Sequence, residues 1–104
     1  MKTKTYVSGK ITGLSKEECE FNFRQGALEA SEFSKEVLNI YEVVPYVKGK
    51  TWKQYMSEDV LYLFECDSIY MLSNWGDSKG ARLERAIAIE MGLDVIYQSE
   101  YNVK

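Results

Sequence analysis

Four short apolar runs along this chain predict β-strands. Each run is too short for a helix, is rich in valine, isoleucine, leucine or tyrosine, and is bounded by polar or turn-forming residues. The runs lie at residues 3–8, 37–44, 68–72 and 94–97. Pro45, the single proline, ends the second run, so residues 46–50 after it are predicted to form a loop.

Longer stretches between these runs place apolar residues at helical spacing and carry helix-end signals. Two stretches open with a capping box, in which a Ser or Thr and a Glu or Gln three residues later satisfy each other's backbone amides. The boxes are Ser15 with Glu18 and Thr51 with Gln54. The third stretch, 79–91, is followed by Gly92, a residue type that favours a helix end. The sequence thus predicts three helices.

The predicted elements alternate in the order β-α-β-α-β-α-β. This order favours a parallel sheet with right-handed crossovers and helices on both faces. The expected fold is a three-layer Rossmann-like (flavodoxin-like) α/β domain with a small parallel sheet of about four strands. The chain of 104 residues has no linker, repeat or low-complexity tract, which indicates a single domain over residues 1–104.

Charge and composition exclude several classes of function. The formal net charge is −3 and there is no long basic run, so the chain lacks the electrostatic footprint of a protein that binds nucleic acid polymers. No apolar run approaches the ~20 residues that span a bilayer, so no membrane partner is expected. Two cysteines far apart in the sequence, with no signal peptide, indicate reduced thiols and a cytoplasmic location.

Two acidic residues are the candidates for chemistry. The chain contains no histidine, and no motif predicts a metal or a cofactor, so carboxylates, hydroxyls and backbone amides must carry any reaction. Glu84 lies in the first turns of the third helix, where the helix dipole is expected to help keep its carboxylate ionised. Asp59 lies one helix upstream, on a face that the sequence does not determine.

These acids suggest glycosyl chemistry if they meet at the carboxyl edge of the sheet, where ligands of parallel α/β folds bind. An ionised carboxylate can attack the anomeric carbon of a nucleoside, and a second acid can protonate the departing base. Each acid also has a structural interpretation. Glu84 is then a partner of the helix dipole, and Asp59 is a solvent-facing side chain.

Residues near the predicted carboxyl edge are candidates for substrate binding. Ser78 and Gly80, at the start of the third helix, can bring a hydroxyl and backbone amides to a sugar or phosphate. Trp75 on the preceding turn is either a core or rim aromatic or a platform that stacks on a base. Gly9 and Gly13, after the first strand, are expected to form the opposite wall.

Three blocks carry a resemblance to a known family. They are Tyr6-Val-Ser-Gly-Lys-Ile-Thr-Gly13, Trp52-x-x-Tyr-Met-x-x-Asp59 followed by Cys66-Asp67, and Trp75-x-x-Ser-x-Gly-Ala-Arg-Leu-Glu84. The sequence resembles the nucleoside 2-deoxyribosyltransferase superfamily over nearly its whole length. Its small phage and bacterial members, filed as a domain of unknown function, are the most similar group. The third block is the most specific.

The resemblance implies roles for matched residues. In the transferases and the 2′-deoxynucleoside 5′-phosphate N-hydrolases, the glutamate after the small-residue turn is the nucleophile and an upstream aspartate assists the leaving base. Glu84 and Asp59 match these positions, and Ser78 matches a serine that contacts the sugar phosphate. The opening block adds Tyr6 and Ser8 to the residues expected at the substrate.

Two departures from the family pattern affect the expected pocket. Lys10, expected to hold the sugar or its phosphate, replaces the usual proline or arginine of the opening loop. The chain ends soon after the fourth strand, whereas the enzymes continue into a fifth strand and donate residues to a neighbouring subunit.

Asp67 is a further candidate, which either contacts substrate or orients the loop and satisfies backbone amides.

The expected function is hydrolysis or 2-deoxyribosyl transfer at the N-glycosidic bond of a nucleoside or nucleotide, with Glu84 as nucleophile. The alternative is a non-catalytic nucleotide-binding or sensing module, such as one encoded by a phage, that uses the same crevice without chemistry. A homo-oligomer is expected because the second helix carries more apolar and aromatic side chains than one sheet face covers. These side chains are Trp52, Tyr55, Met56 and Tyr62.

Overall fold

A computed structural model describes residues 1–101 of the chain and contains one four-stranded sheet. All strand pairs are parallel and the strand order is β2-β1-β3-β4, which confirms the predicted fold class. The strands are β1 (Lys2–Ser8), β2 (Ser34–Asn39), β3 (Ser68–Met71) and β4 (Asp94–Tyr97). Of the two central strands, β3 is buried throughout and β1 is buried from Thr5 to Ser8.

Helices cover both faces of the sheet. They are α1 (Lys16–Ala30), α2 (Ile40–Val43), α3 (Trp52–Leu63), α4 (Lys79–Glu90) and α5 (Gln98–Tyr101), with a 3₁₀ turn at Trp75–Asp77. α1 packs on β1 and β2, while α4 packs on β3 and β4 and contacts α3. No helix within residues 1–101 is long and apolar enough to cross a membrane.

The predicted helix ends are confirmed. Both capping boxes are complete, with the Ser15 and Thr51 hydroxyls each accepting a hydrogen bond from the amide three residues later at 3.1 Å. Gly92 follows α4 with a φ of +78°, a backbone conformation that favours glycine. These ends were predictable because each depends on residues within one helical turn.

The prediction for the second strand is wrong in its boundaries. The strand was expected over 37–44, but β2 ends at Asn39 and residues 40–43 form the short helix α2. β2 is an edge strand whose neighbour β1 ends at Ser8, and Val7 already pairs with Asn39. Beyond this point no strand offers hydrogen bonds, and the Asn39 side chain instead accepts one from the Tyr41 amide at 3.2 Å. The short helix α5 was not predicted either.

One leucine is enclosed by two glycines at the carboxyl end of the sheet. Leu72 follows β3 and is 2% exposed. A Cβ atom added at Gly26 of α1 would lie 2.4 Å from Leu72 Cδ2, and one added at Gly9 would lie 2.5 Å from Leu72 Cδ1. Because both methyl groups are enclosed, neither glycine position has room for a side chain.

We expect Gly26→Ala to lower the free energy of unfolding by about 1–2 kcal/mol, measured by urea denaturation. Overpacking costs about 1–3 kcal/mol, which exceeds the gain of up to about 1 kcal/mol in helix propensity. Gly76→Ala is the control because nothing lies within 4 Å of a Cβ added there. A Gly26→Ala protein as stable as the parent would contradict this account of the packing.

Candidate active site

The candidate site lies at the carboxyl end of β1, between the sheet and the two helices α3 and α4. The connections after β1 and β3 run toward opposite edges of the sheet, so the adjoining ends of these strands form a topological switch point, where ligands of α/β folds bind. Tyr6 and Ser8 are two residues apart on β1 and therefore point to the same face. Their hydroxyls both reach Glu84 on α4.

The Glu84 carboxylate is held by two hydrogen bonds and is only 4% exposed. The Tyr6 hydroxyl donates to Oε2 and the Ser8 hydroxyl donates to Oε1, each at 2.6 Å. The structure therefore brings together three of the predicted site residues. Tyr6 and Ser8, expected to contact substrate, contact the candidate nucleophile instead.

The protonation of Glu84 differs from the expectation based on the helix dipole. The pKa of this carboxyl group is raised from 4.5 to about 7, mainly by burial and to a smaller extent by the negative charge of Asp59, against the two hydroxyl hydrogen bonds, which lower it. Burial also raises the pKa of Tyr6 well above its usual value, so this hydroxyl stays protonated and remains a donor. Loss of water around the carboxyl group outweighs the dipole.

Asp59 lies on α3, is 8% exposed, and faces the protein rather than solvent. Its Oδ1 atom is buried and has no hydrogen-bond partner among residues 1–101. The pKa of Asp59 is raised from 3.8 to about 6. Burial is the main cause, the charge of Glu58 acts in the same direction, and the charge of Lys50 acts against both. A buried carboxylate oxygen without a donor is costly, so it indicates a place where a proton or ligand completes the site.

Ser78 and Gly80 lie where the first turns of α3 and α4 meet. The Ser78 hydroxyl caps α4 by accepting a hydrogen bond from the Ala81 amide at 3.1 Å. A Cβ atom at Gly80 would lie 3.2 Å from the Met56 sulfur and 3.6 Å from Trp52 Nε1, so this glycine allows the two helices to approach closely. Both residues have a structural role beside any contact with substrate.

The loop after β1 is tied to the segment before α4. The Lys10 amide donates to the Asn74 side chain at 3.0 Å, a contact that sequence analysis did not identify. Gly9 packs on Leu72, and Gly13 occupies an exposed turn with a φ of +89°. The glycines of this loop thus have packing and conformational reasons of their own.

Two predicted binding residues take the structural alternative that the sequence offered for each. Asp67 precedes β3 at the amino edge of the sheet, opposite Glu84, and accepts hydrogen bonds from the Thr3 and Lys4 amides at 3.1 Å. The hydrogen bonds from these two amides lower the pKa of Asp67. Because it satisfies backbone amides at the far edge of the sheet, Asp67 does not contribute to the site. Trp75 is half-buried and packs against two side chains. Its ring centre lies 5.8 Å from that of Tyr97 and 4.9 Å from Cζ of the Arg85 guanidinium.

Lys50 was not a candidate in the sequence but lies near enough to Asp59 to lower its pKa. Its side chain is 13% exposed, and its ammonium group is 2.6 Å from Glu58 Oε1 and 4.5 Å from the centre of the Tyr55 ring. No local pattern could have indicated this placement, because it depends on how the loop folds over α3. Within residues 1–101 no three His, Cys, Asp or Glu side chains are grouped as metal ligands would be.

We expect the free energy of unfolding to fall by about 3 kcal/mol, through Glu84 alone, as the pH rises from about 4.5 to 7. In this window the folded protein holds a proton that the unfolded chain has released, so rising pH favours unfolding. Urea denaturation at a series of pH values measures the effect. Glu84→Gln removes this contribution and keeps that of Asp59, so identical pH profiles for the two proteins would contradict it.

Comparison with known proteins assigns the chain to a family by its sequence. No curated protein and no solved structure matches it. The sequence model of a domain of unknown function, DUF4406, matches residues 3–97, which include the candidate acidic pair and all of the four strands apart from Lys2. The chain therefore belongs to the DUF4406 family.

Proposed function

We propose that this domain cleaves the N-glycosidic bond of a nucleoside or nucleotide, as a hydrolase or a 2-deoxyribosyltransferase. One observation carries the proposal. Two carboxyl groups, Glu84 and Asp59, are buried on the same side of the sheet at its switch point, and both have pKa values raised toward neutrality. Perturbed acids beside a ligand-binding edge are typical of glycosidase chemistry.

Glu84 acts as the nucleophile in the proposed mechanism. One of its carboxylate oxygens forms a bond to the anomeric carbon, while the bond from that carbon to the base nitrogen breaks and its electron pair leaves with the base. Water or a second base then attacks the anomeric carbon, gives up a proton to the Asp59 carboxylate, and displaces the Glu84 carboxylate. Water gives the free sugar and a second base gives a new nucleoside.

Asp59 acts as the acid that protonates the departing base. Its buried Oδ1 lacks a donor, so a proton there removes an uncompensated charge, and the aspartic acid form is suited to give this proton to the base. Both Glu84 oxygens accept hydroxyl hydrogen bonds, which favour the ionised form that a nucleophile requires. Near pH 6–7 the interacting pair holds about one proton. Since Glu84 has the higher pKa, about 7 against about 6 for Asp59, this proton rests mainly on Glu84 in the free protein, and the reactive form is the minority in which it lies on Asp59.

The surrounding residues orient the reacting groups. Tyr6 and Ser8 are positioning residues, because each uses its hydroxyl to fix one oxygen of Glu84. A carboxylate oxygen accepts more than one hydrogen bond or bond partner, so the free lone pairs remain for the sugar. Ser78, Gly80 and Lys10 then hold the sugar or its 5′-phosphate at the start of α4, where backbone amides favour an anion.

A non-catalytic nucleotide-binding or sensing module is the second candidate function. The observation that favours it is the 4% exposure of Glu84, whose oxygens are both engaged by hydroxyls within the chain. In this alternative the acidic pair has a structural role only. The ligand then binds at Ser78 and Gly80, where the first turns of α3 and α4 meet. Binding of a nucleotide without release of its base distinguishes the two functions.

We also propose a homo-oligomer, through a surface other than the one expected. Met56 is buried and Tyr55 bonds to Val47, so the side chains named in the sequence prediction do not form an exposed patch. Exposed apolar side chains instead occur along and at the ends of α3 and α4. Phe64 and Met91 line a shallow hollow there, and Leu61 and Leu83 are exposed on the two helices. Gel filtration of the chain at micromolar concentration tests this assembly.

A reducing compartment such as the cytoplasm is proposed as the location. Cys19 and Cys66 are both buried and both free, and burial raises the pKa of each thiol, to about 11 for Cys66. Such thiols are unreactive and need no oxidising environment.

We expect Glu84→Gln to reduce the rate of base release by at least about 1000-fold, because the nucleophile is removed. The assay is incubation with a panel of nucleosides and their 5′-monophosphates, followed by chromatography for free base or exchanged nucleoside. Glu90→Gln, an exposed position on the same helix, is the control and should keep full activity. An unimpaired Glu84→Gln protein would refute the assigned role.

We expect Asp59→Asn to reduce release of a natural base by about 100- to 10,000-fold, because the acid is lost. A 2-deoxyriboside with a nitrophenolate leaving group needs no protonation, so the variant should recover most of its activity on this substrate. Equal losses on both substrates would show that Asp59 acts other than as the acid. If the parent protein binds nucleotides and releases no base, the second candidate function holds.

A further inference from the structure

A cleft of about 680 Å³ opens beside the carboxyl edge of the sheet, on the α1 side. It lies between the loop after β1, the start of α1 and the helix α2, and its lining includes Ile11, Leu14 and Tyr41. Neither Glu84 nor Asp59 lines it, because both lie on the opposite face of the sheet with α3 and α4. The cleft is therefore separate from the candidate active site.

The size and the walls of the cleft suit a small flat ligand. Small-molecule sites generally occupy roughly 300–1000 Å³ and are lined mainly by apolar and aromatic groups. Here the apolar part comes from Ile11, Leu14 and Pro45. Tyr41 is held from behind by Phe23, with ring centroids 5.6 Å apart and an angle of 29° between the rings. Tyr46, also in the lining, is 81% exposed, so a stacked ring would remove much apolar surface from water.

Unused hydrogen-bonding groups accompany these aromatic rings. The Asn39 side-chain oxygen accepts a bond from the Tyr41 amide, whereas its NH₂ group has no protein partner within residues 1–101. The Tyr41 hydroxyl likewise makes no hydrogen bond in this part of the chain. Both residues line the cleft. Together they supply donors and an acceptor for the edge of a heteroaromatic ring, as in proteins that recognise single bases.

The charges of the cleft are balanced, which favours an uncharged ligand. The lining contains two basic residues, Lys16 and Arg24, and two acidic residues, Glu20 and Glu42. Lys16 and Glu20 lie 3.8 Å apart on successive turns of α1 and partly neutralise each other. A phosphate or an ammonium group would meet both signs of charge at similar strength, so it would gain little there.

We propose that this cleft binds an uncharged planar heteroaromatic ring with hydrogen-bonding groups on its edge, namely a free nucleobase or a nucleoside. The ring stacks on a tyrosine of the cleft while Asn39 and Tyr41 contact its edge. The proposal does not depend on any reaction at Glu84. The ligand would also touch Ile11 in the loop after β1. The neighbouring Lys10 amide donates a hydrogen bond to Asn74 beside the candidate active site, so this loop separates the two sites.

The test is a titration of the ¹⁵N-labelled full chain, followed by amide chemical shifts, with adenine, adenosine, adenosine 5′-monophosphate and indole as separate probes. Adenine, adenosine or both should shift the amides of Leu14, Tyr41 and Tyr46, and the monophosphate should bind no more tightly than adenosine. Indole lacks the polar ring edge and should bind at least about tenfold more weakly. The same titration of Glu84→Gln excludes turnover of adenosine as the cause.

Tyr46→Ala should weaken binding of the ring by about tenfold, through loss of stacking. Phe21→Ala is the matched control, because Phe21 is an exposed aromatic residue of α1 that does not line the cleft, and it should leave binding unchanged. Shifts confined to Gly80 and Ala81 would overturn the proposal while leaving the function of Glu84 intact. The absence of shifts with either ring, or equal binding of indole, would also overturn it.

Discussion

The burial of one carboxyl group is the constraint on which the arrangement of this protein depends. Glu84 comes from α4 and is 4% exposed, and a group of this kind is tolerated inside a protein only if its oxygens find donors. β1 supplies both donors because Tyr6 and Ser8 alternate onto the same face. The position of α4 against β1 is therefore specified by these two hydrogen bonds as well as by apolar packing.

Asp59 adds a second buried acid, which makes the same region costly for folding. Each acid is raised in pKa by burial, and the charge of Asp59 acts on Glu84 as well. A domain selected for stability alone would have little reason to place two such groups together, since apolar side chains of similar volume fill a core without a desolvation cost. The pair therefore lowers the stability of the domain in a way that apolar side chains at the two positions would not.

The sequence was sufficient to predict the fold class and the helix starts, but it predicted the candidate site only in part. Helix starts at Ser15 and Thr51 depend on neighbours within one turn, so local patterns predicted them. The end of β2 depends on the length of β1, and the pKa of Glu84 depends on the whole surrounding core, so neither could be obtained locally. Asp67 illustrates the same limit, because only the strand register reveals which edge of the sheet it occupies.

The hydrogen bond from the Lys10 amide to Asn74 has a consequence for motion. It fastens the segment after β1 to the segment before α4, although 64 residues separate them in the chain. Local opening of one segment must then break or carry along the other, so the two fluctuate as a single cooperative unit. Solvent exchange of that one amide proton consequently measures how often the segment after β1 separates from the segment before α4.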